Sequence, residues 1–168
     1  MTMPLRQPLR ALALVSVLAL GACAQGGMMG GNAVDLNAAS GTVSDPTSPA
    51  YFNQVVGDRV LFAVDQSTLD AEAQATLRQQ AQWLMANPEF TAQIEGHADE
   101  QGTREYNLAL GARRAASVRD FLVSQGVSAA RLSTISYGKE RPLEICSEES
   151  CYRQNRRGVT VIAAGSGV

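Results

Sequence analysis

Across one polar turn the apolar period of this chain changes from two residues to about 3.6, and that change restricts the fold more than any other feature. Phe90-Thr91-Ala92-Gln93-Ile94 alternates apolar and polar side chains, as a strand with one covered face does. Beyond the turn, Leu108, Gly111, Ala115, Val118 and Leu122 fall on one helical stripe, with Thr103 as cap and Gly126 as stop. A similar pair precedes it. Arg59-Val60-Leu61-Phe62-Ala63-Val64 reads as a buried strand, and Ala73, Leu77, Ala81 and Leu84 form a second stripe. Asp70 and Glu72 suit its first turn, Asn87-Pro88 its end, and Trp83, just off the stripe, the edge of the core. A third strand spans Arg131 to Tyr137, ending at Gly138, and a last one follows a long loop, from Gly158 to Ala163. Strands joined through helices pair parallel, while the final strand returns antiparallel at an edge or between neighbours. The prediction is α/β: a two-layer sandwich with the helices packed on one mixed sheet.

The N-terminal part has a different character. Arg6 and Arg10 precede the apolar run ALALVSVLAL, which has the length of a secretory h-region and is too short to span a membrane. Leu20-Gly21-Ala22-Cys23 then resembles the bacterial lipobox, whose cysteine is acylated and becomes the N-terminus; a plain signal peptide cut at a small-x-small site is the alternative. Ala24 rather than aspartate implies sorting to the outer membrane. Residues 24–50 are rich in Gly, Ser, Ala and Asn without hydrophobic period, a flexible tether with an end-to-end distance of roughly 30 Å. The expected organisation is a signal at 1–22, a lipidated cysteine and tether at 23–50, and one folded domain at 51–168.

Without the signal the chain carries 12 basic and 16 acidic residues, a net charge of −4. Such a balance argues against nucleic acid, whose phosphates are held mainly by lysine and arginine. Three cysteines are an odd number for an exported chain; acylating Cys23 leaves Cys146 and Cys151, spaced to close a short disulfide loop. A metal site is the weaker reading, since two cysteines and the distant His97 lack zinc-module spacing.

Enzyme chemistry finds little support. His97 is the only histidine, with Asp99 two residues on, but no GxSxG elbow marks a nucleophile. Asp99 and Glu100 are adjacent and unsuited to face each other across a glycosidic bond, and no Walker or Rossmann glycine pattern is present. Binding is the better class. Asp99 opens the polar turn and Arg113-Arg114 lie further along the helix, so the opposite charges either hold a zwitterionic ligand or satisfy each other.

The run GHADEQGTREYNLALGARRA, followed by VSQGVSAARLSTISYGKERP and QNRR, resembles the peptidoglycan-associated lipoprotein (Pal) family of Gram-negative bacteria. That family belongs to the wider group of OmpA-like C-terminal domains, and the likeness covers residues 55 to 163. It implies a βαβαβ(loop)β domain without cofactor or catalysis, which binds peptidoglycan through the diaminopimelate of the stem peptide. The family's aspartate falls on Asp99, for the ligand ammonium, and its arginine on Arg114, for the ligand carboxylate. Asp65 matches a third position beside the ligand, and Asn107 a further polar contact. Arg113 is expected to be a solvated neighbour, while Arg156 and Arg157 either support the site or are solvated. The chain departs from the family in Phe62-Ala63-Val64-Asp65, where an FDFD-like strand is usual, and in Gly158, where alanine is usual. The resemblance also implies a TolB partner and a part in Tol-Pal function during envelope constriction. The rival readings are a wall anchor of another envelope machine and a wall-degrading enzyme.

Overall fold

The structure, a computed structural model, describes residues 41–164; the expected signal, Cys23 and most of the tether lie outside the described residues. Packing begins ahead of Tyr51. Ser48 donates to the carbonyls of Thr42 and Asp45 and caps α1 (Pro49–Tyr51), which runs on as a π-helical stretch over Phe52–Gly57. Trp83 fastens this segment: its indole N–H donates to the Pro46 carbonyl at 2.7 Å, and its ring lies 4.9 Å from that of Phe52 and 5.1 Å from that of Phe90. A buried indole needs an acceptor, and residues that suit a tether also suit the turns that supply one.

The chain continues as β1 (Arg59–Leu61), α2 (Ala71–Ala86), β2 (Phe90–His97) and α3 (Arg104–Ser124). After a 3₁₀ turn at Ala129–Arg131 come β3 (Leu132–Gly138), α4 (Glu149–Asn155) and β4 (Arg157–Ala164). Both long helices start at the predicted caps, Asp70 Oδ1 accepting the Ala73 amide at 2.8 Å and Thr103 Oγ1 the Tyr106 amide at 3.2 Å. The strand order is β1-β4-β2-β3, with β2 and β3 parallel and β4 antiparallel to both of its neighbours. Phe90, Ala92 and Ile94 are buried while Thr91 and Gln93 are exposed, so one sheet face is covered and the other is wet. The fold is the α/β two-layer sandwich with a mixed sheet.

Three details differ from the sequence reading. The first strand leaves the sheet early: Phe62 gives a last ladder bond to the Arg156 carbonyl at 2.8 Å, and Val64 and Asp65 are exposed. Within the expected long loop lies α4, a helix of 7 residues without a side-chain N-cap and so without a sequence signal. Leu108 is 48% exposed; the buried face of α3 instead includes Asn107, Leu110 and Arg114. Polar residues occupy core-facing positions there because that end of the helix faces a cleft.

A close approach of backbones sets the position of α3. A Cβ on Gly96 would fall on the Gly111 carbonyl, and one on Gly111 would come within 2.7 Å of the Gly96 carbonyl oxygen. Only glycine at both positions lets the helix rest directly on β2. Arg114, three residues after Gly111, is thereby brought to the end of that strand.

Candidate functional site

A cleft of about 320 Å³ opens between the segments that follow β1 and β2 and the first half of α3. Asp65, Asp99, Asn107 and Arg114 all line it. A larger groove, about 480 Å³, runs along β1 and the start of α2, but it has a more apolar lining and contains neither Asp99 nor Arg114.

Arg114 is fully buried, at 0% exposure. Its Nε donates to the Gln66 carbonyl at 2.8 Å, Nη1 to the His97 carbonyl at 2.8 Å and Nη2 to the Ala63 carbonyl at 3.1 Å. A guanidinium has five N–H groups, so one remains on each terminal nitrogen, the fork that grips a carboxylate. The Phe62 ring lies beneath, 5.2 Å from the guanidinium carbon to its centroid. Burial lowers the pKa from the usual guanidinium value to about 10; Asp99 pulls the other way, and Arg156 adds to the lowering. The group is still a full cation at neutral pH.

Asp99, 8% exposed, makes no ion pair with Arg114 among the described residues. Its Oδ1 accepts the Gln101 amide at 3.2 Å and its Oδ2 accepts Arg156 Nη1 at 3.1 Å. Arg156 in turn donates through Nε to the Phe62 carbonyl and through Nη2 and Nη1 to the Glu149 carboxylate. Of the two open readings for QNRR, solvation is therefore excluded: Arg156 and Arg157 are 4% and 7% exposed.

Asn107, 1% exposed, donates to the Gln101 carbonyl at 2.7 Å and so closes the turn that carries Asp99. Asp65 stands at φ 57°, an uncommon left-handed position for a residue with a side chain, and accepts the Tyr106 hydroxyl. Tyr106 and Asp65, which both line the cleft, thus link α3 to the segment after β1. Glu100 Oε1 accepts Ser147 Oγ at 2.8 Å and the Tyr152 hydroxyl at 2.7 Å, and those two bonds hold its pKa below the usual carboxylate value. Cys146 and Cys151 are joined as a disulfide, with Cα atoms 5.9 Å apart.

His97 contributes its carbonyl to the site. Its ring is buried with neither nitrogen hydrogen-bonded among the described residues, and Glu95 Oε2 stands 3.5 Å from Nε2. Burial first, then the charges of Arg157 and Arg141, lower its pKa from 6.5 to about 4. A neutral ring makes no ion pair with Glu95.

Residues 61–156 match the OmpA family. A peptidoglycan-associated lipoprotein of Mesorhizobium japonicum is 53% identical over 156 residues, covering 92% of each chain. The corresponding protein of Pseudomonas aeruginosa is 40% identical over 154 residues, 88% of this chain and 91% of that one. The chain belongs to the OmpA family, among its peptidoglycan-associated lipoproteins. The crystal structure of the peptidoglycan-associated lipoprotein from Burkholderia pseudomallei superposes with a TM-score of 0.64 at 39% identity, over 72% of this chain and 98% of that one. The C-terminal domain of Helicobacter pylori MotB, 19% identical with a TM-score of 0.60, shares the fold. This is a family of structural, non-enzymatic proteins, and this OmpA-family chain is not an enzyme.

Three residues in this OmpA-family cleft or bonded to its walls, of which Tyr106 alone lines it, were not singled out from sequence. Tyr106 lies one position before Asn107 and its hydroxyl reaches a loop 41 residues away. Glu149 and Tyr152 sit on the unforeseen α4, in a stretch read from sequence only as a loop closed by a disulfide. A weak signal existed, since Glu149, Arg153 and Arg156 lie at helical or near-helical spacing, but nothing pointed it at Asp99.

Proposed function

We propose that this chain is an outer-membrane lipoprotein, acylated at Cys23, whose periplasmic domain holds peptidoglycan non-covalently by the diaminopimelate of the stem peptide. The observation that supports this most is a buried Arg114 with one N–H free on each terminal nitrogen, lining the same cleft as Asp65 and Asp99. A ligand carboxylate takes the fork of Arg114, and the adjacent ammonium turns to Asp99 and Asp65. Asn107 keeps the Asp99 turn closed. Each charge-assisted contact contributes about 1.5–3 kcal/mol. A single stem peptide therefore binds modestly, and many anchored copies facing a polymer gain retention through effective concentration. Within the Tol-Pal system the same domain meets TolB and helps constrict the outer membrane in division.

The test is co-sedimentation of the full chain with sacculi, for wild type, Asp99→Ala and Arg114→Ala, with free diaminopimelate as competitor. Both variants should stay in the supernatant, and free diaminopimelate should release the wild type. Undiminished binding by both variants would remove the cleft from the reading. Lysine-type walls should bind less, because lysine lacks the second carboxylate. A TolB pull-down separates Tol-Pal function from service in another envelope machine.

A further inference from the structure

We infer that the turn closed by Cys146 and Cys151 belongs to the ligand-binding apparatus: it positions the Asp99-Glu100 segment and holds Arg156 shared between two carboxylates, so that Asp99 faces a ligand ammonium without being fully paired. This rests on the reading of the cleft given above. Two arms run from the turn to the site. In the first, Ser147, inside the disulfide ring, and Tyr152, just outside it, both donate to Glu100 Oε1, at 2.8 and 2.7 Å. Glu100 is the residue after Asp99. In the second, Glu149, also inside the ring, accepts both terminal nitrogens of Arg156, and Nη1 of that same guanidinium reaches Asp99 Oδ2 at 3.1 Å.

The second arm decides a charge. One guanidinium shared by Asp99 and Glu149 leaves the trio with a net charge of −1. Were Glu149 withdrawn, Arg156 would pair with Asp99 alone, the pair would be neutral, and a ligand ammonium would keep only Asp65 as counter-charge. Holding Glu149 in place is the work of the turn. Residues 147–150 are exposed and bury no apolar anchor, so packing does not fix them. Besides their bonds to Glu100 and Arg156, they are held by the first turn of α4, where the Glu148 carbonyl accepts the Cys151 and Tyr152 amides at 3.0 Å, and by the disulfide; upstream, Asn155 Oδ1 accepts the amides of Leu143 at 2.7 Å and Glu144 at 3.0 Å. Cutting the disulfide leaves this exposed segment to a single uncapped helical turn and to solvent-exposed side-chain bonds, and so loosens Glu149 and Ser147.

The experiment compares meso-diaminopimelate with pimelate, which has the same carboxylates and no amines, as competitors for the full chain on sacculi. The oxidised wild type should prefer diaminopimelate by about tenfold or more, one charge-assisted contact. A small dithiol then reduces the chain: two electrons and two protons pass to the Cys146–Cys151 bond, giving two thiols, and the dithiol closes to its own cyclic disulfide. The preference should fall to about threefold or less. Glu149→Gln, at an exposed position with the disulfide intact, should give the same fall, and Tyr152→Phe a smaller one. General loosening would weaken both ligands alike, whereas full pairing of Asp99 by Arg156 weakens only the amine-bearing one. An unchanged ratio in the reduced chain or in Glu149→Gln, or equal weakening of both ligands, overturns the inference. If Asp99→Ala and Arg114→Ala still fail to bind sacculi in that case, the proposed function stands without it; if both bind like wild type, the reading of the cleft itself fails.

Discussion

Arg114 and Arg156 are almost equally hidden, at 0% and 4% exposure, yet they are held in opposite ways. Arg114 is bonded to three neutral carbonyls and touches no carboxylate among the described residues. Arg156 is bonded to two carboxylates and one carbonyl. What a buried cation can offer a ligand is thus set by its partners, not by its exposure. Carbonyl dipoles satisfy N–H groups without cancelling the charge, and the lowering of the Arg114 pKa to about 10 records the cost of burying a cation that way. A ligand carboxylate relieves that cost. Arg156 has no such need, and its role is to tie the Asp99 loop to α4.

The contrast breaks most visibly at Arg156. Arg156→Met leaves Asp99, 8% exposed, without a counter-charge and the Phe62 carbonyl without its donor. Urea unfolding should show a loss of about 3 kcal/mol, as for a buried pair with one partner removed. The Glu149 arm adds little, since that side chain is 67% exposed and its pairing is screened. A midpoint equal to wild type would show the tie to be idle. Arg114→Ala should cost less stability, about 2 kcal/mol for carbonyls left without donors, and more binding, roughly tenfold to a hundredfold on sacculi. If the two variants lost stability and binding in the same proportion, the distinction between ligand arginine and tie would fall.

Sequence pointed to Arg114 as a site residue and left Arg156 with two readings, support of the site or solvation. The α/β order, the helix caps, the Ala73 to Leu84 stripe and the turn at Gly126 follow from local rules of capping, period and left-handed φ, and the structure places them where those rules do. Asp99 and Arg114 stand on motifs around a turn between a strand and a helix, so their shared cleft could be anticipated. Arg156 faces Asp99 across 57 residues, and Tyr106 faces Asp65 across 41. Such pairs depend on how β4 inserts between β1 and β2, which no local pattern states. Asn107 and Arg114 also distort the stripe of α3: they occupy buried positions that an apolar pattern assigns to hydrophobic side chains, which is why Leu108 looked buried and is exposed.

A smaller effect lies beneath Arg114, at the residue that supplies one of its carbonyls. The His97 ring faces Glu95 on its own strand, the Tyr137 ring of β3 5.5 Å away, and the charges of Arg141 and Arg157. Its pKa is about 4 when folded and 6.5 in the unfolded reference, so between those values the unfolded chain binds a proton that the folded chain refuses. Stability is therefore full above pH 6.5 and falls as the pH drops toward 4, by at most about 1.4 kcal/mol per pH unit, with solvent screening keeping it below that ceiling. Below pH 4 the contribution of this group is flat. His97→Gln should flatten the dependence between pH 4 and 6.5 in urea titrations; an unaltered slope would place its origin elsewhere than in this buried ring.

The sharpest form of the comparison uses the smallest change. Arg113 adjoins Arg114 in sequence but is exposed, its guanidinium carbon 5.9 Å from the Tyr106 ring centroid. One residue along a helix turns a side chain by about 100°, enough to move the same charge from a carbonyl cage into water. An exposed cation near a binding cleft acts only through a screened field, so Arg113→Ala should change stability by less than about 0.5 kcal/mol and sacculus binding by less than about twofold. That small difference should vanish in about 0.5 M salt, whereas the Arg114→Ala loss should persist, because a desolvated contact is little screened. Equal losses in the two variants would mean that net positive charge at this end of α3, rather than the caged fork of Arg114, is what holds the wall.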